Sequence, residues 1–180
     1  MSILPITLYG DEILKKKAKP VKNIDGSIKT LVEDMFQTMY NADGVGLAAN
    51  QVGSSHSIFV IDLKPIEGFE KHPPVVMINP KILELSENIV DIEEGCLSVP
   101  YVRAKVARPQ GIKIKYYDLE QNELVLERDD FLARVIQHEF DHLQGFYFTD
   151  RLELEMQKML RRNLKKIRNR SFDFEYPVTP

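Results

Sequence analysis

Two stretches of the chain repeat hydrophobic residues at the spacing of an α-helix. The first predicts an amphipathic helix over residues 25–42, which ends near Gly44. Its apolar positions are Ile28, Leu31, Val32, Met35, Phe36 and Met39. The second predicts a C-terminal helix over about 151–169, with one apolar face for the body of the domain. Its apolar positions are Leu152, Met156, Met159, Leu160, Leu164 and Ile167.

Between these two helices the pattern changes to that of strands. Residues 57–62 and 75–79 are short apolar runs rich in β-branched residues, as in buried strands. Three weaker strand candidates are 82–85, 89–93 and 102–107. Apolar and lysine residues alternate over 112–116, which is typical of a half-buried strand, and residues 120–123 then turn the chain into a partner strand at 124–127. Helices combined with antiparallel strands predict an α+β fold.

A further helix is predicted around the segment Gln137-His138-Glu139-Phe140-Asp141-His142. Residues four apart share one helix face, so His138 and His142 can both direct an imidazole nitrogen at one metal ion. Glu139 could then reach a water molecule on that ion without being a ligand. The alternative is an ordinary amphipathic helix that carries two histidines. Asp129 or Asp130 can cap this helix, and Gly145 can end it.

The chain has a single cysteine, Cys96, which limits the disulfide and metal chemistry available to it. One cysteine cannot form an internal disulfide, and the surrounding segment 93–100 is typical of a loop that leaves a strand. A thiolate and two imidazoles make a three-ligand site with a fourth position for water, as in catalytic metal sites. This donor set suits zinc, iron, cobalt or nickel, and not magnesium or calcium.

Small residues dominate the segment 44–53, just before a predicted strand. One interpretation is a tight connection between helix and strand. The segment lacks the lysine and the glycine spacing of a nucleotide-binding loop. Small residues also allow a ligand backbone to approach closely, and Gln51 offers an amide that could donate to an oxyanion.

Composition is that of an ordinary globular domain. Hydrophobic residues make up 43% of the 180 residues and charged residues 28%, with a net charge of −3. We expect one catalytic domain over residues 1–170, which includes the basic helix at about 151–169, and assign no role to the tail, 171–180. The first residues do not resemble a signal peptide, and no apolar stretch is long enough to span a membrane, so the expected location is cytoplasmic.

Positive charge is concentrated in the C-terminal helix, although the whole chain is slightly acidic. No acidic residue lies between Met156 and Arg170. The basic residues there are Lys158, Arg161, Arg162, Lys165, Lys166, Arg168 and Arg170. Such a run is either a solvated surface or a site for phosphate contacts without base readout.

Three segments together resemble the signature motifs of the peptide deformylases, and they occur in the same order. They are Gly44-Val45-Gly46-Leu47-Ala48-Ala49-Asn50-Gln51, Glu94-Gly95-Cys96-Leu97-Ser98 and the histidine segment 137–142. The similarity extends from Leu4 to about residue 165. It implies an enzyme that removes the formyl group from the N-terminal formylmethionine of new polypeptides. It also implies antiparallel strands packed around a central metal-binding helix, with an N-terminal and a C-terminal helix.

The resemblance also implies residue roles. Cys96, His138 and His142 would hold one divalent metal ion per chain, with ferrous iron favoured in the cell. Glu139 would be the general base, and the Gln51 side chain and the Leu97 N–H would stabilise the oxyanion.

Five residues are implied in substrate binding. Gly46 and Gly95 would pair with the substrate backbone, and Val45, Arg134 and Val135 would line the methionine pocket. The partners implied are formyl-methionyl nascent peptides and, through the basic helix, the ribosome. No sequence-specific nucleic acid is expected.

Two other classes of protein remain as alternatives. A metallopeptidase built on the same helix usually takes its third ligand from a further His or Glu, and no histidine follows His142. A non-enzymatic module with a structural metal would need a fourth protein ligand. His56 and His72 have no motif context.

Overall fold

The computed structural model describes residues 2–180 and contains three α-helices in that range. They are α1 (Gly26–Asn41), α2 (Phe131–Gln144) and α3 (Leu154–Arg168). Asp25 caps α1, since its carboxylate accepts hydrogen bonds from the N–H groups of Ser27 and Ile28. The helix predicted over 25–42 is therefore confirmed. No helix within residues 2–180 has the length and apolar character needed to cross a membrane.

The strands form two antiparallel sheets. In chain order they are β1 (Gly46–Ala48), β2 (Ile58–Ile61), β3 (Val75–Leu85), β4 (Ile89–Cys96), β5 (Val99–Pro109), β6 (Ile112–Tyr117) and β7 (Glu123–Arg128). Five of them pair in the order β1-β2-β3-β6-β7, and β4 pairs with β5. This arrangement of helices and antiparallel sheets confirms the α+β class.

Strand β3 joins two segments that the sequence predicted separately, 75–79 and 82–85. The first segment ends at Asn79, whose φ is +52°, and Pro80, which has no N–H to donate, follows it. The pairing of β3 with β6 shifts register between Ile78 and Lys81. The hydrophobic pattern is interrupted there because the strand is irregular, and not because it ends.

Helix α2 lies inside the protein along most of its length, and 11 of its 14 residues are buried. On one side, Leu132 and Ile136 pack with Phe59 of the five-stranded sheet. On the other, Arg134 and Gln137 donate hydrogen bonds to carbonyl groups of β5. The helix therefore contacts both sheets.

Capping residues determine where α2 begins and ends. Asp130, and not Asp129, caps its start by accepting from the N–H of Leu132. At its end Gly145 adopts φ +84°, and a Cβ there would lie 2.6 Å from the Lys15 carbonyl oxygen. Only glycine fits this position without strain.

Helix α3 packs on the body of the protein through fewer residues than its sequence predicted. Leu164 and Ile167 are buried, whereas Met156 and Met159 are 40% and 74% exposed. The prediction that both methionines face the domain body is wrong. The spacing of apolar residues gave the helix correctly, but its contact face is narrower than the full set of apolar positions.

Candidate metal centre

Three side chains from two elements converge at one point. Cys96 is the last residue of β4, and His138 and His142 lie one turn apart on α2. Their potential ligand atoms all lie within 4.8 Å of one another, and Cys96 Sγ is 3.1 Å from His142 Nε2. His142 is fully buried and His138 nearly so. A thiolate and two imidazoles at this separation fit a single transition-metal ion.

The imidazole of His138 is oriented by a buried carboxylate. Its Nδ1 lies 2.9 Å from Glu94 Oε2, which directs Nε2 towards the other two donors. Burial alone would raise the pKa of Glu94, but hydrogen bonds from Arg108 and His138 hold that pKa well below its usual range. The carboxylate is therefore charged and keeps the ring in place.

A chain of buried charges supports this carboxylate. Arg108 is 1% exposed and donates to both oxygens of Glu94, at 2.6 and 2.9 Å, and to Asp141 at 2.6 Å. Arg134 donates to Glu94 at 2.9 Å, and Arg151 donates to Asp141. The roles of Glu94, Arg108 and Asp141 were not predicted from the sequence. Their partners are distant along the chain, and no local pattern marks them.

Burial and nearby groups together shift the pKa values of the two histidines in opposite directions. Burial, reinforced by the nearby His138, lowers the pKa of His142 well below its ordinary value. Burial opposes charge on His138 as well, but hydrogen bonds to Cys96 and Glu94 outweigh it, and the pKa of His138 is raised. His142 is therefore neutral, which is the form that binds a metal.

Glu139 is buried next to His138 on α2, but it does not belong to the group of three converging donors. It is 4% exposed, and its Oε2 has no hydrogen-bond partner among residues 2–180. Burial raises its pKa to about 7. A Cβ at Gly46 would lie 2.5 Å from Glu139 Oε1, so glycine at 46 leaves room for this carboxylate. A buried carboxyl group with a pKa near neutrality is suited to proton transfer.

Gln51 is held with its amide nitrogen towards the centre. Its Oε1 accepts a hydrogen bond from the N–H of Ala48 at 2.8 Å. This fixes Nε2, which lies 3.1 Å from Ser98 Oγ and 3.5 Å from Cys96 Sγ. The segment 44–53 is thus more than a connection, since it contains β1 and a short 3-10 helix that positions Gln51.

An open cavity of about 690 Å³ lies over the three donors. All but one of the sequence-predicted site residues line it. They are Val45, Gly46, Gln51, Gly95, Cys96, Leu97, Arg134, Val135, His138 and Glu139. His142 is the exception, because it is fully buried.

Several other residues that line the cavity were not predicted from the sequence. Ile66 and Phe131 belong to its apolar part and pack on the same core as Val45. Glu175 and Tyr176, from the tail, also line the cavity. The sequence of the tail does contain a pattern that could have predicted an extended segment, since apolar residues alternate at 172, 174, 176 and 178.

The chain is similar to known proteins over nearly its whole length. The family model described as polypeptide deformylase matches residues 3–158. A peptide deformylase from Salinibacter ruber is 45% identical, over 98% of this chain and 94% of that protein. One from Rickettsia canadensis is also 45% identical, over 94% of this chain and 98% of that protein.

Solved structures give the same result. A crystal structure of a peptide deformylase from Legionella pneumophila superposes with a TM-score of 0.85 at 39% identity, covering 94% of this chain and 98% of that one. A plant peptide deformylase superposes with a TM-score of 0.88 at 36% identity, covering 95% and 92%. The family model, the related sequences and the solved structures agree over nearly the whole chain. The chain therefore belongs to the peptide deformylase family, whose members are metal-dependent enzymes.

Proposed function

We propose that the protein hydrolyses the N-terminal formyl group of new polypeptides at the centre formed by Cys96, His138 and His142. The observation that carries the proposal is the convergence of these donors with a buried carboxylate, Glu139, at the floor of an open cavity. Hydrolysis of a formamide needs a nucleophile at neutral pH, a base to generate it, and donors for the oxygen that becomes charged.

The three donors suit one divalent ion per chain. Ferrous iron is the ion we favour in the cell, and Zn²⁺, Ni²⁺ or Co²⁺ also match the mixture of thiolate and imidazole ligands. When bound, such an ion lowers the pKa of a coordinated water and polarises a carbonyl oxygen.

Glu139 moves the proton. As a carboxylate it takes a proton from the attacking water, and as the acid it then returns the proton to the amine that leaves. A pKa of about 7 suits both directions of transfer near neutral pH. The space at Gly46 keeps the carboxylate free to reach the reacting atoms.

Two fixed donors stabilise the oxyanion. Gln51 Nε2 is held in place through the bond from Ala48 to its Oε1, so no reorganisation is needed when charge develops. The N–H of Leu97, in the turn between β4 and β5, is the second donor.

The substrate binds as an added strand with its side chain in an apolar pocket. Gly46 lies in β1, the edge strand of the five-stranded sheet, and Gly95 lies in β4, which pairs only with β5 among the described strands. Both border the cavity, so an extended peptide between them can use the free strand edges.

The methionine side chain enters the apolar part of the cavity. Val45 and Val135 line it together with Ile66 and Phe131. The guanidinium group of Arg134 is bound to Glu94 and to the carbonyls of Val90 and Val106, which leaves its aliphatic stem for the pocket.

The location and partners follow from the substrate. Formyl-methionyl peptides are made in the cytoplasm, where we place the protein, with residues 1–170 as its catalytic domain. On α3, Arg161, Arg162, Lys165 and Lys166 are exposed and can contact ribosomal RNA phosphate. Arg170 is not part of this surface, because it is bound to Asp11.

The test compares formyl-Met-Ala-Ser with Met-Ala-Ser as substrates, alongside a count of bound metal. We expect formate release from the first peptide only, with one metal ion per chain. Cleavage of Met-Ala-Ser would instead favour a metallopeptidase, and bound metal without turnover of either peptide would favour a non-enzymatic module. Either result would contradict the proposal.

A further inference from the structure

The C-terminal tail, residues 171–180, packs against the turn between β4 and β5, which carries Leu97. Its alternate residues point inward and join the core cluster that Cys96 and Leu97 also contact. These inward residues are Phe172, Phe174, Tyr176 and Val178. The tail is therefore ordered by side-chain packing and not only by its attachment to α3.

Hydrogen bonds hold the tail along its length. Near its end, the backbone N–H of Thr179 donates to the carbonyl of Ile6 at 3.0 Å, and the Ile6 N–H donates to Pro177 at 2.9 Å. The Thr179 hydroxyl donates to Asp11 at 2.8 Å. Nearer α3, the Tyr101 hydroxyl donates to the carbonyl of Asp173 at 2.7 Å. These bonds fix the tail on both sides of Tyr176.

Tyr176 connects the tail to the turn. Its hydroxyl donates to the carbonyl of Leu97 at 2.6 Å, and the residue lines the cavity. Other segments hold the following residue of the turn, because the Ser98 carbonyl accepts from the N–H of Tyr9 and Ser98 Oγ accepts from Gln51. The turn is thus clamped between the tail, the N-terminal segment and Gln51.

We propose that Tyr176 is a positioning residue for deformylation, which fixes the Leu97 backbone so that its N–H stays directed at the developing oxyanion. The inference rests on the proposed function. The N–H and carbonyl of Leu97 flank the same Cα, so a bond that fixes the carbonyl also restricts the direction of the N–H. A donor fixed in advance stabilises the transition state more than one that must first reorient.

The test compares Tyr176→Phe with Thr179→Val in the metal-loaded, full-length protein. The first change removes the hydroxyl that holds Leu97 and keeps the ring. The second removes a hydroxyl that anchors the same tail to Asp11, away from the cavity. With formyl-Met-Ala-Ser, we expect Tyr176→Phe to lower kcat about tenfold with little change in KM. This loss is smaller than the cost of removing an oxyanion donor, about 10²–10³-fold, because the Leu97 N–H is still present and is only less firmly directed. Thr179→Val should keep the wild-type kcat.

Two further measurements separate positioning from folding. Metal content should be unchanged in Tyr176→Phe, and amide hydrogen exchange in residues 96–99 should be faster than in the wild type at a temperature well below the unfolding midpoint of both. An unchanged kcat, unchanged exchange in that segment, or an equal loss of activity in Thr179→Val would each overturn the inference. Wild-type protein without formate release would overturn the proposed function instead.

Discussion

Helices α2 and α3 have nearly the same length and opposite environments. Helix α2 has 14 residues, 11 of them buried, and α3 has 15 residues, two of them buried. Both are amphipathic by sequence, and both carry several charged residues. In α2 the charged groups lie inside the protein, whereas in α3 they face water.

This difference decides what each helix can do. Inside the protein, burial raises the pKa of Glu139 to about 7, and Asp141 is held in a buried ion pair with Arg108. On α3, water and salt screen the charges, so that each contributes little to stability and remains available to a partner. Substitutions at the α2 centre should therefore change chemistry or stability strongly, and those on α3 should change only partner binding.

The largest effect is expected for Glu139→Gln. Loss of the proposed general base should lower kcat by about 10²–10⁴-fold while the metal stays bound, because Glu139 lies outside the three-donor group. Steady-state formate release and a metal count check this result. Glu155→Gln, on exposed α3, is the matched control and should keep full activity. Near-normal turnover in Glu139→Gln would remove Glu139 from the mechanism.

Arg108→Met should destabilise the fold severely. It would leave Glu94 and Asp141 without their shared buried partner, a change that typically costs about 3–5 kcal/mol in the free energy of unfolding. Denaturant unfolding measures this quantity. Arg162→Met on α3 should change it by less than about 0.5 kcal/mol. Equal stability of the two variants would show that the buried network does not support α2.

Cys96→Ser should weaken metal binding by more than about 100-fold. Replacing a residue that only hydrogen-bonds to a ligand already lowers metal affinity by about 10–100-fold, and Cys96 is itself a proposed ligand. A neutral hydroxyl is a much poorer ligand than a thiolate. Competition with a chelator measures the affinity, and activity should fall with metal occupancy. His56→Gln, at a histidine outside the three-donor set, should bind metal normally. Unweakened binding in Cys96→Ser would exclude the thiolate as a ligand.

The smallest effect on catalysis is expected from the charges of α3. Replacing Arg161, Arg162, Lys165 and Lys166 with glutamine should leave kcat unchanged and abolish co-sedimentation with ribosomes. Binding by the wild type should weaken steeply as salt is added, because phosphate contacts release counterions.

A control for total charge uses four exposed lysines outside α3. The residues replaced with glutamine are Lys22, Lys29, Lys71 and Lys81. This variant should still co-sediment with ribosomes. Loss of binding in both variants, or retention in both, would show that α3 has no specific part in docking.

Much of the α2 centre could be predicted because its signals are local. A four-residue spacing puts His138 and His142 on one face, and Asp130 and Gly145 mark the ends of the helix. The fold class followed from helical and alternating patterns in the same way. Strand β1 was missed because three residues, two of them small, are too few to show an alternation, yet they pair with β2.

The rest depends on contacts between distant residues. The buried partners of Glu94 and Asp141 could not be predicted, since the chain has 24 basic and 27 acidic residues and any pairing among them is possible in sequence. Met156 and Met159 fit the helical pattern of α3, but both are exposed in the folded protein. The alternation at 172–178 could have predicted an extended tail, although its contact with Leu97 depends on the folded structure.

The central claim is that Cys96, His138 and His142 together hold one ion that deformylation requires. Titration of chelator-stripped protein with Co²⁺ tests it most directly, because a bound thiolate gives cobalt a distinct charge-transfer absorption. Formate release from formyl-Met-Ala-Ser should be absent at the start and should rise with this absorption, both reaching a plateau at one ion per chain. Full activity in the stripped protein, or activity restored without the thiolate absorption, would contradict the claim.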